Sequence, residues 1–188
     1  VTATSRETET DQSKLMVLRL NASGNEVWRR IYDSEESTFP AGAVESPTGF
    51  TIVSTEAGGM NKNIVIQAYN QIGQPVGTLD SREGAEAVVP SGDGNLIFAG
   101  YTENTNRALI AKADLNGDTL WYRTYRLDES LPGVNQLNDV IVEADGLITA
   151  VGTVELPGGN VDYLLVQTET DGTSRLIKNI GDDDRPFD

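Results

Sequence analysis

The sequence contains neither cysteine nor histidine. Disulfide bonds, thiolate zinc sites and cysteine nucleophiles are therefore excluded from these 188 residues, and the most common general base of enzymes is missing. No apolar run approaches the roughly 18 to 20 residues of a membrane-spanning helix. The chain opens with VTATSRETETDQ, without an initiator methionine or a signal peptide. We therefore expect a processed or excised segment of a longer protein.

Basic residues are scarce. There are 14 lysines and arginines against 29 aspartates and glutamates, which gives a net charge of -15. This charge opposes contact with phosphate backbones and anionic lipids, so we expect no nucleic-acid partner and no direct membrane insertion. It is compatible with cationic partners or divalent ions, although an acidic surface is most simply a solvated one. Hydrophobic residues make up 38% of the chain, which is typical of a globular domain with a core.

Four segments repeat one pattern, in which two apolar runs flank a polar turn that contains a glycine. The shared glycines are Gly24, Gly73, Gly117 and Gly172. Three intervening segments carry a second shared turn, with Gly49, Gly94 and Gly146, followed by a run rich in β-branched residues. Apolar and polar residues alternate with a period of two, as in Leu109, Ala111 and Ala113, which predicts strands. No stretch has a helical period.

A unit of four antiparallel strands that recurs every ~40 to 50 residues indicates a β-propeller blade. We therefore predict an all-β chain, a β-propeller of four-stranded antiparallel blades with about fifteen strands. The expected units are a partial blade at 1–37, complete blades at 38–83, 84–135 and 136–180, and the start of a further blade or a tail at 181–188.

The predicted strand count lacks one inner strand of a closed four-bladed ring. Such a gap leaves backbone groups unpaired and the core open. We therefore expect this chain to be part of a larger propeller, whose remaining blades come from further sequence or from another chain. A four-bladed ring closed by overlapping termini and an irregular β-sandwich are the alternatives.

A second motif accompanies the turns, LN-x-x-G-x-x-x-W followed by an aromatic residue. It is present as LNASGNEVW from Leu20 and, in a shorter form, as LNGDTLW from Leu115. Together with GNLIFAGYT from Gly94 and GLITAVGT from Gly146, it resembles the tandem β-propeller repeats of secreted and cell-surface bacterial proteins. The resemblance implies a location in the cell envelope or outside the cell, and it identifies no residues that would hold a quinone cofactor.

The two tryptophans are not present in every repeat. Gly77 stands near the tryptophan position of the second hairpin, and the fourth hairpin also lacks tryptophan. A shared ligand site would require the residue in each repeat. We therefore interpret Trp28 and Trp121 as packing residues between blades.

The segment ADLNGDTLWYRTY, residues 113–125, looks at first like a calcium loop, because Asp114, Asn116 and Asp118 occupy alternate positions. An EF-hand loop also needs glycine at its sixth position and glutamate at its twelfth. Those positions hold Thr119 and Tyr125. We therefore interpret the segment as a tight turn between two strands, with structural calcium as the weaker alternative.

Other candidate sites have simpler interpretations. The run Asp182, Asp183 and Asp184 has the chemistry to bind a divalent cation but is typical of a solvated loop. Gly84 and Gly92 do not form a phosphate loop, because no Gly-Lys-Ser/Thr follows them. Four tyrosines with the chemistry to stack on sugar rings are more typical of strand packing: Tyr69, Tyr101, Tyr122 and Tyr125.

We predict a non-catalytic interaction or scaffold module of a bacterial cell-envelope or secreted protein, such as a subunit of an envelope assembly. Its partners would be proteins, including the remaining blades or another chain. The connections Arg126 to Gln136 and Val154 to Asp162 are the expected partner surfaces, because loops accept variation. The alternative is a carbohydrate-binding or carbohydrate-active propeller. No catalytic, cofactor-binding or metal-binding residues are predicted.

Overall fold

Strands account for all the regular structure in this computed structural model, and no helix is present among the residues that it describes. Those residues are 2–6, 13–33, 37–46, 49–58, 61–81, 84–102, 104–115, 118–130 and 133–181. Within them there is accordingly no helix that is long and apolar enough to cross a membrane.

The fifteen described strands agree in number with the expectation from the sequence. They are β1 (Thr2–Arg6), β2 (Ser13–Leu20), β3 (Glu26–Tyr32), β4 (Ser37–Ser46), β5 (Gly49–Gly58), β6 (Asn61–Asn70), β7 (Pro75–Ser81), β8 (Gly84–Pro90), β9 (Leu96–Thr102), β10 (Arg107–Ala113), β11 (Thr119–Tyr125), β12 (Asn135–Val142), β13 (Ile148–Glu155), β14 (Val161–Thr168) and β15 (Ser174–Ile180).

Each strand pairs antiparallel with its neighbour in the chain, which produces four separate meanders. Sheet 1 has three strands, β1 to β3. Sheets 2, 3 and 4 have four strands each, namely β4 to β7, β8 to β11 and β12 to β15. The prediction of an all-β chain with four-stranded antiparallel units is therefore confirmed.

The sheets share irregularities as well as strand order. The first strand of each four-stranded sheet contains a register shift, which lies between Pro40 and Gly42 in β4, between Ala85 and Ala87 in β8, and between Leu137 and Asp139 in β12. A second shift lies in the pairing of the last two strands of each of the four sheets. Because side chains alternate between faces, these shifts establish which residues of different sheets are equivalent.

The sheets pack in series, and the first strand of each sheet makes the contact with the sheet before it. Strand β4 contacts β1 and β2, β8 contacts β4 to β6, and β12 contacts β8 to β10. One buried apolar cluster lies at each of these three interfaces. We call the side of a sheet that points toward the next sheet in the chain its forward face.

Strand β9 illustrates how one strand serves two interfaces. Leu96 and Phe98 belong to the cluster shared with sheet 2, whereas Ile97 and Ala99 belong to the cluster shared with sheet 4. All four residues are buried. A strand covered on both sides needs apolar residues at every position, which explains why β9 reads as a continuous apolar run.

Two of the interfaces contain the same three types of residue at alternate positions of one strand, a set that we call the W-R-Y clasp. The clasp consists of Trp28, Arg30 and Tyr32 in β3 and of Trp121, Arg123 and Tyr125 in β11. Residues at alternate positions of a strand share a face, so each clasp lies on the forward face of its sheet. Trp28 and Tyr32 pack against the cluster with sheet 2, and Trp121 and Tyr125 take part in the cluster with sheet 4.

Each clasp contacts a glycine in the turn between the third and fourth strands of the next sheet. Tyr32 donates a hydrogen bond from its hydroxyl to the carbonyl oxygen of Gly73 at 2.7 Å. Tyr125 donates the equivalent bond to Gly172, also at 2.7 Å. The two glycines have φ of 77° and 81°. A Cβ on either would lie 3.0 or 2.9 Å from the ring of Trp28 or Trp121, so both turn geometry and packing require glycine.

Sheet 4 carries Leu176 at the tryptophan position of the clasp, because Gln167 and Leu176 form the last pair before the register shift, as Lys112 and Trp121 do in sheet 3. Leu176 is 41% exposed, whereas Trp121 is partly buried against sheet 4. The same register position is therefore covered by a neighbouring sheet at Trp121 and exposed to solvent at Leu176.

Replacing Trp121 by alanine is expected to lower the free energy of unfolding by about 3 kcal/mol, at the lower end for a buried aromatic residue because Trp121 is only partly buried. Urea denaturation measures the change. The matched control is Leu176→Ala in the same 188-residue chain, where that side chain is exposed, and we expect it to change stability by less than about 1 kcal/mol. Equal losses in the two variants would contradict the assignment of Trp121 to inter-sheet packing.

Candidate functional site

The carboxylate of Asp114 closes a turn. Its Oδ1 atom accepts a hydrogen bond from the backbone N–H of Asp118 at 2.9 Å. Asn21 and Asn70 use their Oδ1 atoms in the same way, toward the N–H groups of Asn25 and Gln74. The third member of the calcium candidate, Asn116, lies outside the described residues. The turn geometry thus gives Asp114 a role that an asparagine fills in two sister turns.

Other acidic candidates are dispersed or lie outside the described residues. Asp182, Asp183 and Asp184 belong to the part of the chain that is not described. In the described ranges, no three acidic side chains come close enough together to hold a metal ion. Asp93 and Asp145 each accept a hydrogen bond from a backbone N–H of their own turn, at 3.2 Å in both cases.

The four tyrosines do not form one surface. Tyr69 and Tyr125 are buried, Tyr101 is partly buried and Tyr122 is exposed. Burial raises the pKa of Tyr69 and of Tyr125 well above the ordinary tyrosine value, so both hydroxyls stay protonated and able to donate. Tyr125 donates across its interface to the carbonyl of Gly172, whereas Tyr69 packs on Tyr32 of sheet 1 and donates to the Oε1 atom of Gln67 in its own strand at 3.2 Å. Tyr122 is exposed to solvent.

A cavity of about 340 Å³ lies between sheets 1 and 2, at the end of the sheets where the β4–β5 and β6–β7 turns are found. It is lined by Val17, Leu18, Arg19, Leu20, Trp28, Ala43, Glu45, Gly49, Phe50 and Gln71. Its volume falls at the lower end of the range of small-molecule sites, about 300 to 1,000 Å³. Apolar rings and a few polar groups line it together, as in typical ligand sites.

The cavity exists because two side chains of β4 are small or polar. Ala43 and Glu45 occupy the register positions that Val140 and Val142 occupy in β12. Both valines fill the interface between sheets 3 and 4, one within its cluster and one packed against it. The interface between sheets 1 and 2 therefore lacks the apolar contacts that two valines make at the equivalent place between sheets 3 and 4.

Aromatic rings form one wall of the cavity and continue into the interface. The rings of Trp28 and Phe50 stack with centroids 5.7 Å apart, and those of Phe50 and Tyr69 stack at 5.1 Å. Tyr32 follows, with its ring 4.9 Å from that of Tyr69. Such contacts hold the rings in fixed positions, so the indole of Trp28 is presented to the cavity as a rigid surface.

The guanidinium of Arg19 is held across the interface between sheets 1 and 2. It donates hydrogen bonds to the backbone carbonyl and to the side-chain Oε1 of Gln71, both at 2.7 Å. Trp28 donates from Nε1 to the same carbonyl at 3.3 Å. Lys112, the equivalent of Arg19 in sheet 3, instead pairs with Asp93 of its own sheet at 2.5 Å. The bridge to Gln71 is thus specific to this cavity.

Glu45 supplies the opposite charge. Its side chain is exposed at the cavity, and it forms no ion pair or side-chain hydrogen bond with the described part of the chain. A carboxylate only accepts hydrogen bonds, whereas the Arg19 guanidinium and the Gln71 amide nitrogen donate them. The cavity therefore offers both hydrogen-bond donors and hydrogen-bond acceptors beside an aromatic wall. One of its side chains is positively charged and one is negatively charged.

Comparison with known proteins adds no family. No protein-family model matches the chain, and no curated protein matches it significantly.

Sequence reasoning identified Trp28 but not the residues around it, namely Arg19, Glu45, Phe50 and Gln71. A signal was present, because Ala43 and Glu45 differ from the valines of the fourth sheet. Aligning the segments by their first residues pairs Val44 with Val140, however, and the register shows that these two residues lie on opposite faces. The signal becomes visible only when the register shifts in β4 and β12 are known.

Asp114→Asn is expected to leave stability nearly unchanged, since asparagine closes the sister turns with the same hydrogen bond. Asp114→Ala removes the acceptor and should cost about 1 kcal/mol. Neither variant should alter the response of the melting temperature to calcium. A large calcium-dependent increase in melting temperature that Asp114→Asn abolishes would restore the calcium interpretation.

The pKa of the Asp93 carboxyl lies well below its usual range, because Lys112 donates a hydrogen bond to it and Ser91 donates another. A lowered folded-state pKa stabilises the fold above the unfolded value, about 3.9, and this stabilisation is lost as the pH falls through the folded value. Asp93→Asn should therefore reduce the loss of stability below about pH 4, measured by urea denaturation across pH. The control is Asp145→Asn in the equivalent turn, which lacks the lysine. An unchanged acid profile in Asp93→Asn would contradict this account.

Proposed function

We propose that the chain forms blades of a β-propeller and serves as a non-catalytic interaction or scaffold module in the bacterial cell envelope or outside the cell. The observation that carries the proposal is the serial packing of the sheets. Each of the first strands β4, β8 and β12 lies on the sheet before it, with its register shift in the same place. Repetition of one packing step is the construction principle of propellers.

The forward face of sheet 4 supports a larger assembly. Its exposed apolar residues are Ile141, Val151, Tyr163, Leu176 and Ile180. Their register equivalents in sheet 3 all lie in or against the cluster that sheet 4 covers: Val89, Ala99, Ala108, Trp121 and Tyr125. Contiguous apolar surface of this kind marks an interaction site. We propose that a further blade, from the same protein or from another chain, covers it.

Two connections of sheet 4 are suited to bind a partner. They lie at the end of the sheet where β12 begins and β13 ends. The loop that precedes β12 and the turn that follows β13 adjoin, because Glu155 donates a backbone hydrogen bond to Val134 at 2.8 Å. Asn135 is buried and accepts a hydrogen bond from the N–H of Leu127, while it donates to the carbonyl of Gly133. These bonds tie Leu127 and Gly133, which lie on either side of the connection, to the buried Asn135. A rigid frame that presents a shaped loop is suited to protein recognition.

A cysteine placed in the forward face of sheet 4 tests the proposal, because these 188 residues contain no other cysteine that would react beside it. In the intact source protein isolated with its native partners, Val151→Cys should react slowly with a maleimide. The matched control is Leu120→Cys, which is exposed in β11, on a sheet that is already covered, and should react fast. Loss of protection after the partners are removed would assign the cover to another chain. Equal reactivity of the two cysteines in the native preparation would refute the covered face.

A further inference from the structure

We propose that the cavity between sheets 1 and 2 binds a neutral carbohydrate, with Trp28 as the stacking surface and Glu45, Arg19 and Gln71 as the polar contacts. All of these residues belong to sheets 1 and 2, so the site exists whether or not further blades complete a ring. It gives the carbohydrate-binding alternative, which the sequence left without residues, a defined place.

The charges of the lining favour a neutral ligand. Arg19 opposes cations and Glu45 opposes anions, and the net charge of -15 adds to the penalty for an anion. Two oxygen atoms of Gln71 hold the guanidinium in place through its Nη1 atom, and its remaining N–H groups can donate to hydroxyl oxygens. A neutral ligand rich in hydroxyl groups meets neither repulsion and finds both donors and acceptors.

The shape of the lining favours a ring with two apolar faces. The Trp28 indole is fixed by its stacking on Phe50 and by its Nε1 hydrogen bond to the Gln71 carbonyl. A preorganised aromatic surface binds with little loss of side-chain freedom. A pyranose has C–H groups on its faces and hydroxyls at its rim, so it can lie on the indole while its rim meets Glu45 and the amide of Gln71.

The repeat itself provides the strongest argument that the cavity is not a packing defect. The chain fills the equivalent space between sheets 3 and 4 with Val140 and Val142, and there Ile148 stands at the position of Phe50. Ala43 and Glu45 are exposed, so the chain gives up at this interface the apolar burial that the two valines provide at the other. Retaining alanine, a carboxylate and an aromatic ring at these positions is consistent with a binding role.

The test uses the filled interface as a template. Binding of cello-, xylo-, manno- and chito-oligosaccharides is measured by calorimetry and by the fluorescence of Trp28 in a Trp121→Phe background, which leaves Trp28 as the single tryptophan of the sequence. We expect at least one series to bind and to change the Trp28 emission. The double variant Ala43→Val, Glu45→Val should remain folded, melt no lower than the parent, and bind at least about tenfold more weakly.

A second variant keeps the test informative if the double variant misfolds. Glu45→Gln preserves the size of the side chain and should weaken binding by about tenfold through the loss of a charged acceptor. Glu155→Gln, an exposed carboxylate in β13, is the control and should bind as the parent does. The proposal is overturned if no series binds at about 10 mM, if the filled variant binds as well as the parent, or if arginine or choline binds in preference to every sugar.

Discussion

The forward faces of sheets 1, 2 and 3 are apolar and are each covered by the next sheet, and this constraint governs the rest of the structure. Leu109 and Ile110 are adjacent in β10 and both are completely buried, on opposite sides of the same sheet. A strand with apolar residues on both sides has no solvent face, so sheet 3 is stable only between two other sheets. Single repeats of this kind cannot bury their own surface, and stacking supplies the core.

The W-R-Y clasp converts this general apolar contact into a specific one. Its tyrosine hydroxyl binds one particular carbonyl, and its tryptophan packs on a glycine that alone tolerates the turn conformation. Both elements fix the relative position of two sheets at the turn end, close to the cavity in one interface and beside packed valines in the other. The same clasp is thus found at an interface that valines fill, between sheets 3 and 4, and at one that contains a cavity, between sheets 1 and 2.

The filled interface and the interface with the cavity correspond to the two proposed functions. A scaffold role draws on the rigidity of the repeated interface, and the carbohydrate site draws on its variation at Ala43 and Glu45. The two roles use opposite ends of the sheets, since the loop before β12 lies at the end away from the turns that border the cavity. Partner contact and ligand binding are therefore compatible in one molecule.

The strands, the turns and the antiparallel four-stranded units could be predicted from the amino-acid sequence, because they depend on local periodicity and on glycine, asparagine and aspartate at turn positions. The sequence also indicated that Trp28 and Trp121 pack between sheets. The face on which each side chain of β4 lies could not be predicted in this way, because it depends on the strand register. The register shift beside Gly42 turns Val44 toward sheet 3 and Ala43 toward sheet 1, and a shift of one residue reverses every face. The cavity depends on that choice, since its residues come from strands far apart in the chain and meet only when two sheets pack.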